Sequence, residues 1–459
     1  MSAPRFVSLL GLGFGDCGKG LFTDALCRRW SAHTVVRFNG GAQAGHNVVL
    51  PDGRHHTFAQ FAAGTLVPGV ATVLAYPVVV HPAALLVEYA RLRTLGVEDA
   101  LERLKIDHRC RINTPFHQAA GRLRELQRGT QAHGTCGVGV GETVRHALCF
   151  PDHVLRYGDL ARPALAMKRL DLIRRDLLAE FSAMAEKPAR QGLARLEYQV
   201  LSDEGAAERW LSGVVALLRQ VPPASPARIA EHLNRPGCVL FEGAQGVLLD
   251  EWRGFHPHTT WSSIHPEAVE AVAAEYGFTA RVEHLGVLRS FLTRHGEGPF
   301  PTCDSALGLL LEPHNTSDGW QGQFRRGHPD ALLLRYALSV LGPLDGLLVS
   351  HLDVFDRVSA LQWCDAYQAA PTGDEANLMH RDAARPDLVT QLLPGAPGNL
   401  AHQAALTRLL SLAAPRYGAE LITSSPALLE RTVALAKCPV WFGAYGPTYE
   451  TVRSVAASP

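Results

Sequence analysis

The chain has 459 residues, with 44 Lys and Arg balanced by 44 Asp and Glu. That balance leaves no basic excess for a nucleic-acid backbone, and no run of about 18 apolar residues offers a membrane span. Nine cysteines lack any C-x-x-C pair, which points to reduced thiols in a cytoplasmic protein rather than a disulfide frame or zinc site. The Met1–Arg5 segment has neither the apolar core nor the cleavage site of a signal peptide.

The first apolar run, Phe6–Leu10, reads as a buried strand. A glycine loop follows from Gly11 to Gly20, then a helix from Leu21 to Trp30. Strand, glycine loop and helix together make a phosphate cradle, because small residues let backbone N–H groups reach the anion. Gly13–Lys19 fits the start of the P-loop pattern GxxxxGK, but the metal-binding Ser or Thr that should come next is Gly20. A carboxylate, Asp16, sits inside the loop instead. A second strand, Thr34–Phe38, leads to a second glycine loop, Asn39–Asn47, which carries His46. Asp16 and His46 on neighbouring loops suit an acid/base pair beside a phosphate site. The plainer readings are a helix N-cap for Asp16 and a buried turn histidine for His46.

Val73–Val80 is another apolar run, and His55-His56 reads as a polar turn after Pro51-Asp52-Gly53. Helices are expected over Ala83–Leu95 and Thr114–Gln127, with a third glycine loop at Gly134–Glu142. Ala161–Leu218 is helical in pattern until Pro222, Pro223 and Pro226 break it. Cys238–Phe241 is a buried strand ending on Glu242-Gly243-Ala244-Gln245-Gly246. Gly286–Leu292, Gly346–Val349 and Val440–Phe442 read as further strands, and Pro386–Gly398 is rich in loop residues. This alternation predicts an α/β fold with a large, mostly parallel central sheet, a P-loop-like nucleotide site and helical insertions, in one domain over residues 1–459.

Taken together, the motifs resemble the adenylosuccinate synthetase family. Its GDEGKGK loop corresponds to Gly15–Leu21 and its GGHNAGHT loop to Gly40–Asn47. FEGAQGxLLD is intact at Phe241–Asp250 and GPFPT at Gly298–Thr302, while KLD becomes His351-Leu352-Asp353. The resemblance implies a GTP-dependent ligase that joins IMP to aspartate in purine biosynthesis, a homodimer acting on small molecules with Mg²⁺. It implies Asp16 as base, His46 as acid, Lys19 on the transferring phosphate and Gln245 as a fourth catalytic residue. Gly15, Gly18, Lys19, Gly20, Gly45, His46, Asn47, Arg325, His351, Asp353 and Gly446 would bind GTP. Asp16, Gln43, Thr135, Cys136, Gln245, Thr260 and Gln323 would face the acceptor side, and the Asp16 carboxylate and Gly45 carbonyl would hold Mg²⁺.

The departures fall on the organic substrates. In the loop that resembles the family's IMP-phosphate loop, GTTGRG, the second Thr is Cys136 and the Arg is Val138. In the aspartate loop the first Arg is Gln323, which cannot grip a carboxylate with a charged fork. Arg145, Arg156, Arg294 and Arg326 lie near these motifs as candidate replacements, Arg145 or Arg156 also as an Arg shared across a dimer. Two further readings follow: a ligase of the same chemistry on another acceptor or amine, with IMP and aspartate a poor pair, and a nucleotide-binding module without catalysis. Retention of both Asp16 and His46 weighs against the module.

Overall fold

The architecture is that of a computed structural model describing residues 4–129, 132–182, 192–310, 312, 315, 319–369 and 377–455. Nine strands form the main sheet. From one edge they run Val452–Ser454, Val440–Ala444, Gly346–Ser350, Glu283–Arg289, Arg5–Gly11, Cys238–Gly246, Ala32–Arg37, Ala71–Leu74 and Leu104–Ile106. Every neighbouring pair is parallel except the Val452–Ser454 edge, which runs antiparallel. Parallel strands need crossovers, and helices here cover both faces, which is why the strands read as unbroken apolar runs.

The Cys238–Gly246 strand is buried at all nine positions. It pairs with Arg5–Gly11 on one side and Ala32–Arg37 on the other. Phe6, Leu10, Val36 and Phe241 belong to the apolar core on one face. Val7, Leu9, Val35 and Leu240 face the opposite way, against the Lys19–Arg29 helix. This alternation is the period-2 geometry of a strand buried on both sides. Phe6 stacks on Phe278 with ring centroids 3.5 Å apart.

The helical insertions form a separate apolar cluster, built from Pro82–Thr94, Pro115–Arg128, Pro163–Glu180, Leu193–Ser202 and Ala206–Gln220. The predicted Ala161–Leu218 stretch is therefore three helices, and residues 183–191 of it lie outside those described. Thr114 caps its helix with a capping box, accepting from the His117 backbone N–H.

Three local expectations are corrected. Val73–Val80 is not one strand: the backbone turns at Tyr76-Pro77, leaving Ala71–Leu74 in the main sheet and Val79–Val80 paired elsewhere. His55 and His56 do not form a turn but begin a strand, His55–Phe58, paired with His46–Val49; the preceding Pro51-Asp52-Gly53 supplied all the turn needed. Pro386–Gly398 contains the strand Leu388–Leu392, held by pairing to Cys364–Gln368 and Met379–Arg381. Among the described residues no helix is long and apolar enough to cross a membrane.

The Phe6 stack sits where the main sheet meets its largest core cluster. Phe6→Ala is expected to cost about 3–5 kcal/mol of stability, as for a buried aromatic removed without collapse of the site. Equilibrium denaturation of the two proteins measures it, and a loss below about 1 kcal/mol would place the sheet's anchoring elsewhere.

Candidate active site

In open α/β sheets, ligands collect outside the carboxyl ends of the strands. Five strand ends here open onto one cavity of about 1010 Å³. After Arg5–Gly11 come Phe14–Leu21; after Ala32–Arg37 come Gln43–Asn47. Gln245, Arg289 and His351 stand at the ends of Cys238–Gly246, Glu283–Arg289 and Gly346–Ser350. Asp353, Gly446, Thr135, Cys136 and Thr260 line the same cavity. The sheet thus brings together residues that the sequence spreads over more than 400 positions.

Asp16 does not cap the following helix. That position belongs to Gly18, in a left-handed conformation without a side-chain cap bond. Asp16 itself takes a positive φ of 44°, a conformation uncommon for a residue with a side chain and one that gathers at functional sites. Its Oδ2 lies 3.3 Å from His295 Nε2, and the Arg289 guanidinium donates to its carbonyl at 3.0 Å. Burial alone would raise its pKa; the His295 contact, with Arg289 and Lys19 behind it, overrides that and holds the carboxyl below the usual range. The same pairing raises the pKa of His295 against burial.

His46 is buried at the start of the His46–Val49 strand. Its Nδ1 lies 2.8 Å from Glu242 Oε1, and its Nε2 has no hydrogen-bond partner among the described residues. Glu242 is wholly buried. Its other oxygen accepts from the Ala63 backbone N–H at 3.1 Å and faces Arg37 Nε at 4.0 Å. Burial would raise the Glu242 pKa, but His46 and Arg37 hold it lowered, so the carboxylate is ionised. Burial lowers the pKa of His46 despite that carboxylate. Glu242 therefore fixes the ring and its tautomer, the role a carboxylate plays behind a catalytic histidine.

Lys19 Nζ donates to the Gln245 carbonyl at 3.0 Å and lies 3.5 Å from Cys17 Sγ. Gln245 Nε2 donates to the Ser262 carbonyl at 2.6 Å, while its Oε1 has no partner among the described residues. Both polar atoms of the Gln43 side chain are likewise without partners among those residues. Buried amides left unpaired are uncommon, and these two border the cavity. Across the cavity, Ser350 Oγ donates to the Cys17 carbonyl at 2.9 Å and lies 2.9 Å from His351 Nδ1. Burial pushes the His351 pKa well below the ordinary histidine value, so it is neutral near pH 7. Asp353 is within 3.5 Å of Arg357.

The missing P-loop hydroxyl has a steric cause. A Cβ at Gly20 would stand 2.6 Å from the Asn47 carbonyl oxygen and 2.9 Å from the His46 carbonyl carbon. The first helix thus abuts the backbone that carries His46. Gly246 serves the first loop in the same way: its Cβ would fall 1.9 Å from the Gly13 oxygen.

Two expected site residues are not brought in. Gln323 is exposed and Arg325 donates to the Gly296 and Gly298 carbonyls; neither lines the cavity. Arg325 instead holds the Gly296–Gly298 turn from behind. Glu242, His295 and Arg289 were missed as site residues. A carboxylate directly after the apolar run Cys238–Phe241 was the legible signal for Glu242. No spacing in the sequence pointed to His295 or Arg289, which enter through the register of neighbouring strands.

A family model described as adenylosuccinate synthetase matches residues 8–414. The chain belongs to the adenylosuccinate synthetase family. It is 34% identical over 402 residues to the adenylosuccinate synthetase of Mycobacterium sp. (strain KMS), covering 85% of this chain and 86% of that one. The Thermosynechococcus vestitus adenylosuccinate synthetase is 35% identical over 373 residues, covering 79% and 77%. Among solved structures, the fully ligated adenylosuccinate synthetase of Plasmodium falciparum superposes with a TM-score of 0.75 at 20% identity, covering 98% of this chain and 100% of that one. Succinoaminodeoxyadenylate synthetase of cyanophage S-2L, bound to dGMP and dATP, gives 0.59 at 16% identity, covering 99% and 97%. These likenesses extend the fold assignment to nearly the whole chain. With the family comes the reaction class: GTP-driven C–N ligation in purine biosynthesis.

The close approach at Gly20 is testable. Gly20→Ser supplies the hydroxyl that the P-loop pattern asks for, yet overpacking should cost roughly 1–3 kcal/mol and lower turnover, because His46 must move. Thermal melts with steady-state assays check this; unchanged stability and activity would mean that the second loop yields freely.

Proposed function

We propose that this chain catalyses GTP-dependent joining of IMP and aspartate, with Asp16 and His46 as the proton-handling pair. The observation that carries this reading is their arrangement: an ionised carboxylate and a carboxylate-backed histidine on separate loops of one cavity. Asp16 takes the N1 proton of the hypoxanthine ring, so that O6 attacks the γ-phosphate. Phosphate charge favours the imidazolium form of His46, which turns its Nε2–H to the transferring group and gives up that proton there, while Glu242 holds the opposite N–H. Lys19 stabilises phosphate charge, as a P-loop lysine does. The amine then displaces the phosphorylated oxygen and forms the C–N bond. Gln245 and Gln43 would bond the acceptor, a reading supported by their unpaired amide atoms at the cavity edge.

Asp353 would read guanine, since a carboxylate accepts from both N1–H and N2–H, with Gly446, His351 and Asn47 around the nucleotide. A hard oxygen cation suits the site. Asp16 is ionised and partly open to the cavity, and a Cβ at Gly45 would meet nothing nearer than 3.9 Å. The Asp16 carboxylate and Gly45 carbonyl would hold Mg²⁺, which typically keeps its remaining ligands as water and phosphate. Bound there, Mg²⁺ would neutralise phosphate charge. All nine cysteines are free, which supports a cytoplasmic setting; the homodimer is part of the same reading. A ligase of this chemistry on a different acceptor or amine is the second reading, favoured by the exposed position of Gln323.

Asp16→Asn keeps the shape but cannot accept a proton, so turnover should fall by about 10²–10⁴-fold with GTP affinity retained. The assay is phosphate release from GTP with IMP and aspartate, coupled to mass spectrometry of the product. Wild-type protein that yields no coupled product would sink the ligase reading. A variant near the wild-type rate would remove Asp16 as the base.

A further inference from the structure

A side chain held at a φ of 44°, as Asp16 is, persists only where the surrounding structure enforces it. Two residues from outside the first loop do so. Arg289 ends the Glu283–Arg289 strand and donates to the Asp16 carbonyl at 3.0 Å. Its guanidinium lies 4.4 Å over the Phe291 ring and donates from its other terminal nitrogen to Glu312. Arg289 therefore fixes the backbone of Asp16 and leaves both side-chain torsions free.

His295 reaches the carboxylate itself. It ends the Leu292–His295 strand, opposite Phe324 in an antiparallel hairpin. The two rings are 4.6 Å apart. His295 Nε2 lies 3.3 Å from Asp16 Oδ2 and 3.2 Å from Asn315 Oδ1. Both facing atoms are oxygens, so this nitrogen carries a proton and donates.

The turn that follows His295 is tied down from two sides. Arg294 is buried, donates to the Glu297 and Pro299 carbonyls at 3.0 and 2.8 Å, and lies 4.2 Å over the Phe14 ring. Arg325, from the paired strand, donates to the Gly296 and Gly298 carbonyls. The Gly296 N–H donates to the Gln323 carbonyl at 3.0 Å. Two guanidiniums on the carbonyls of one short turn set the chain direction at His295, and so the place of its ring.

A base must point its carboxylate along the N–H bond that it breaks, and a misplacement of about 1 Å costs about 10²-fold. We propose that His295 is a positioning residue for the ligase reaction. Its Nε2–H fixes the direction of the Asp16 carboxylate for proton abstraction, and the turn held by Arg294 and Arg325 keeps the imidazole in register. The inference rests on the reading of Asp16 as the base. It adds a residue behind that base, as Glu242 stands behind His46.

The test uses the full chain and two substitutions at one position. His295→Leu keeps an apolar body and removes the donor, while His295→Gln keeps an N–H at similar reach. Steady-state assays with Mg²⁺-GTP, IMP and aspartate separate kcat from each KM. His295→Leu should lose about tenfold or more in kcat, with KM for GTP and IMP changed by less than about threefold, and His295→Gln should recover most of that loss. A kcat for His295→Leu within about twofold of wild type would overturn the proposal, as would an equal loss in both variants. A second arm needs no turnover: melting temperatures of the wild type, His295→Leu, Asp16→Ala and the double variant. Shifts that fail to add uphold the contact, and shifts that add overturn it. Wild-type protein that makes no coupled product would end the ligase reading, and the melting cycle alone would then decide whether His295 holds Asp16.

Discussion

A wholly buried carboxylate is the hinge of this structure. Glu242 lies in an inner strand of the sheet, next to Arg5–Gly11, where an isolated charge would be expelled or neutralised. It stays because three elements converge on it: the second loop through His46, the segment after Phe58 through the Ala63 N–H, and the neighbouring strand through Arg37. Each partner is itself costly to leave buried alone. The arrangement therefore fixes the second loop against the sheet as well as orienting a histidine. The Gly20 contact closes the same unit from the other side, since the first helix can approach only where no Cβ intervenes.

The two sides of the cavity contrast in charge. On the phosphate side Lys19 has no carboxylate partner among the described residues, and Asp16 is held ionised by His295. On the acceptor side the arginines and carboxylates cancel one another, and indole faces fill the remaining wall. A family scaffold can keep its phosphoryl-transfer half while the other half drifts, because the strand ends fix the first and loops supply much of the second.

The sequence disclosed the fold through strands buried on both faces, whose apolar runs are unmistakable. It disclosed the two glycine loops because their geometry needs glycine. Boundaries failed where a turn interrupted an apolar run, as at Tyr76-Pro77, and where pairing partners lay far off in sequence, as for Leu388–Leu392. Asp16, His46 and Gln245 could be read from motif context. Arg289 and His295 could not, because they join the site through strand register and through the hairpin of Leu292–His295 with Phe324–Gly327. Arg325 keeps its motif, yet its guanidinium lies on backbone carbonyls of the adjoining turn, which the motif does not disclose. Nor could side-chain pairing be read along the chain. Arg145, a candidate replacement contact by sequence, pairs with Glu142 and Glu180.

The central claim is that Glu242 acts in catalysis through His46. A double-mutant cycle of Glu242→Gln and His46→Asn in kcat/KM, with melting curves to separate stability, addresses it directly. If the two residues work as one unit, each single change should cost about 10²–10⁴-fold, and the double variant should fall little below the worse single one. Losses that add to within about 0.5 kcal/mol, as they do for independent sites, would contradict the claim and leave Glu242 a purely structural ion-pair partner.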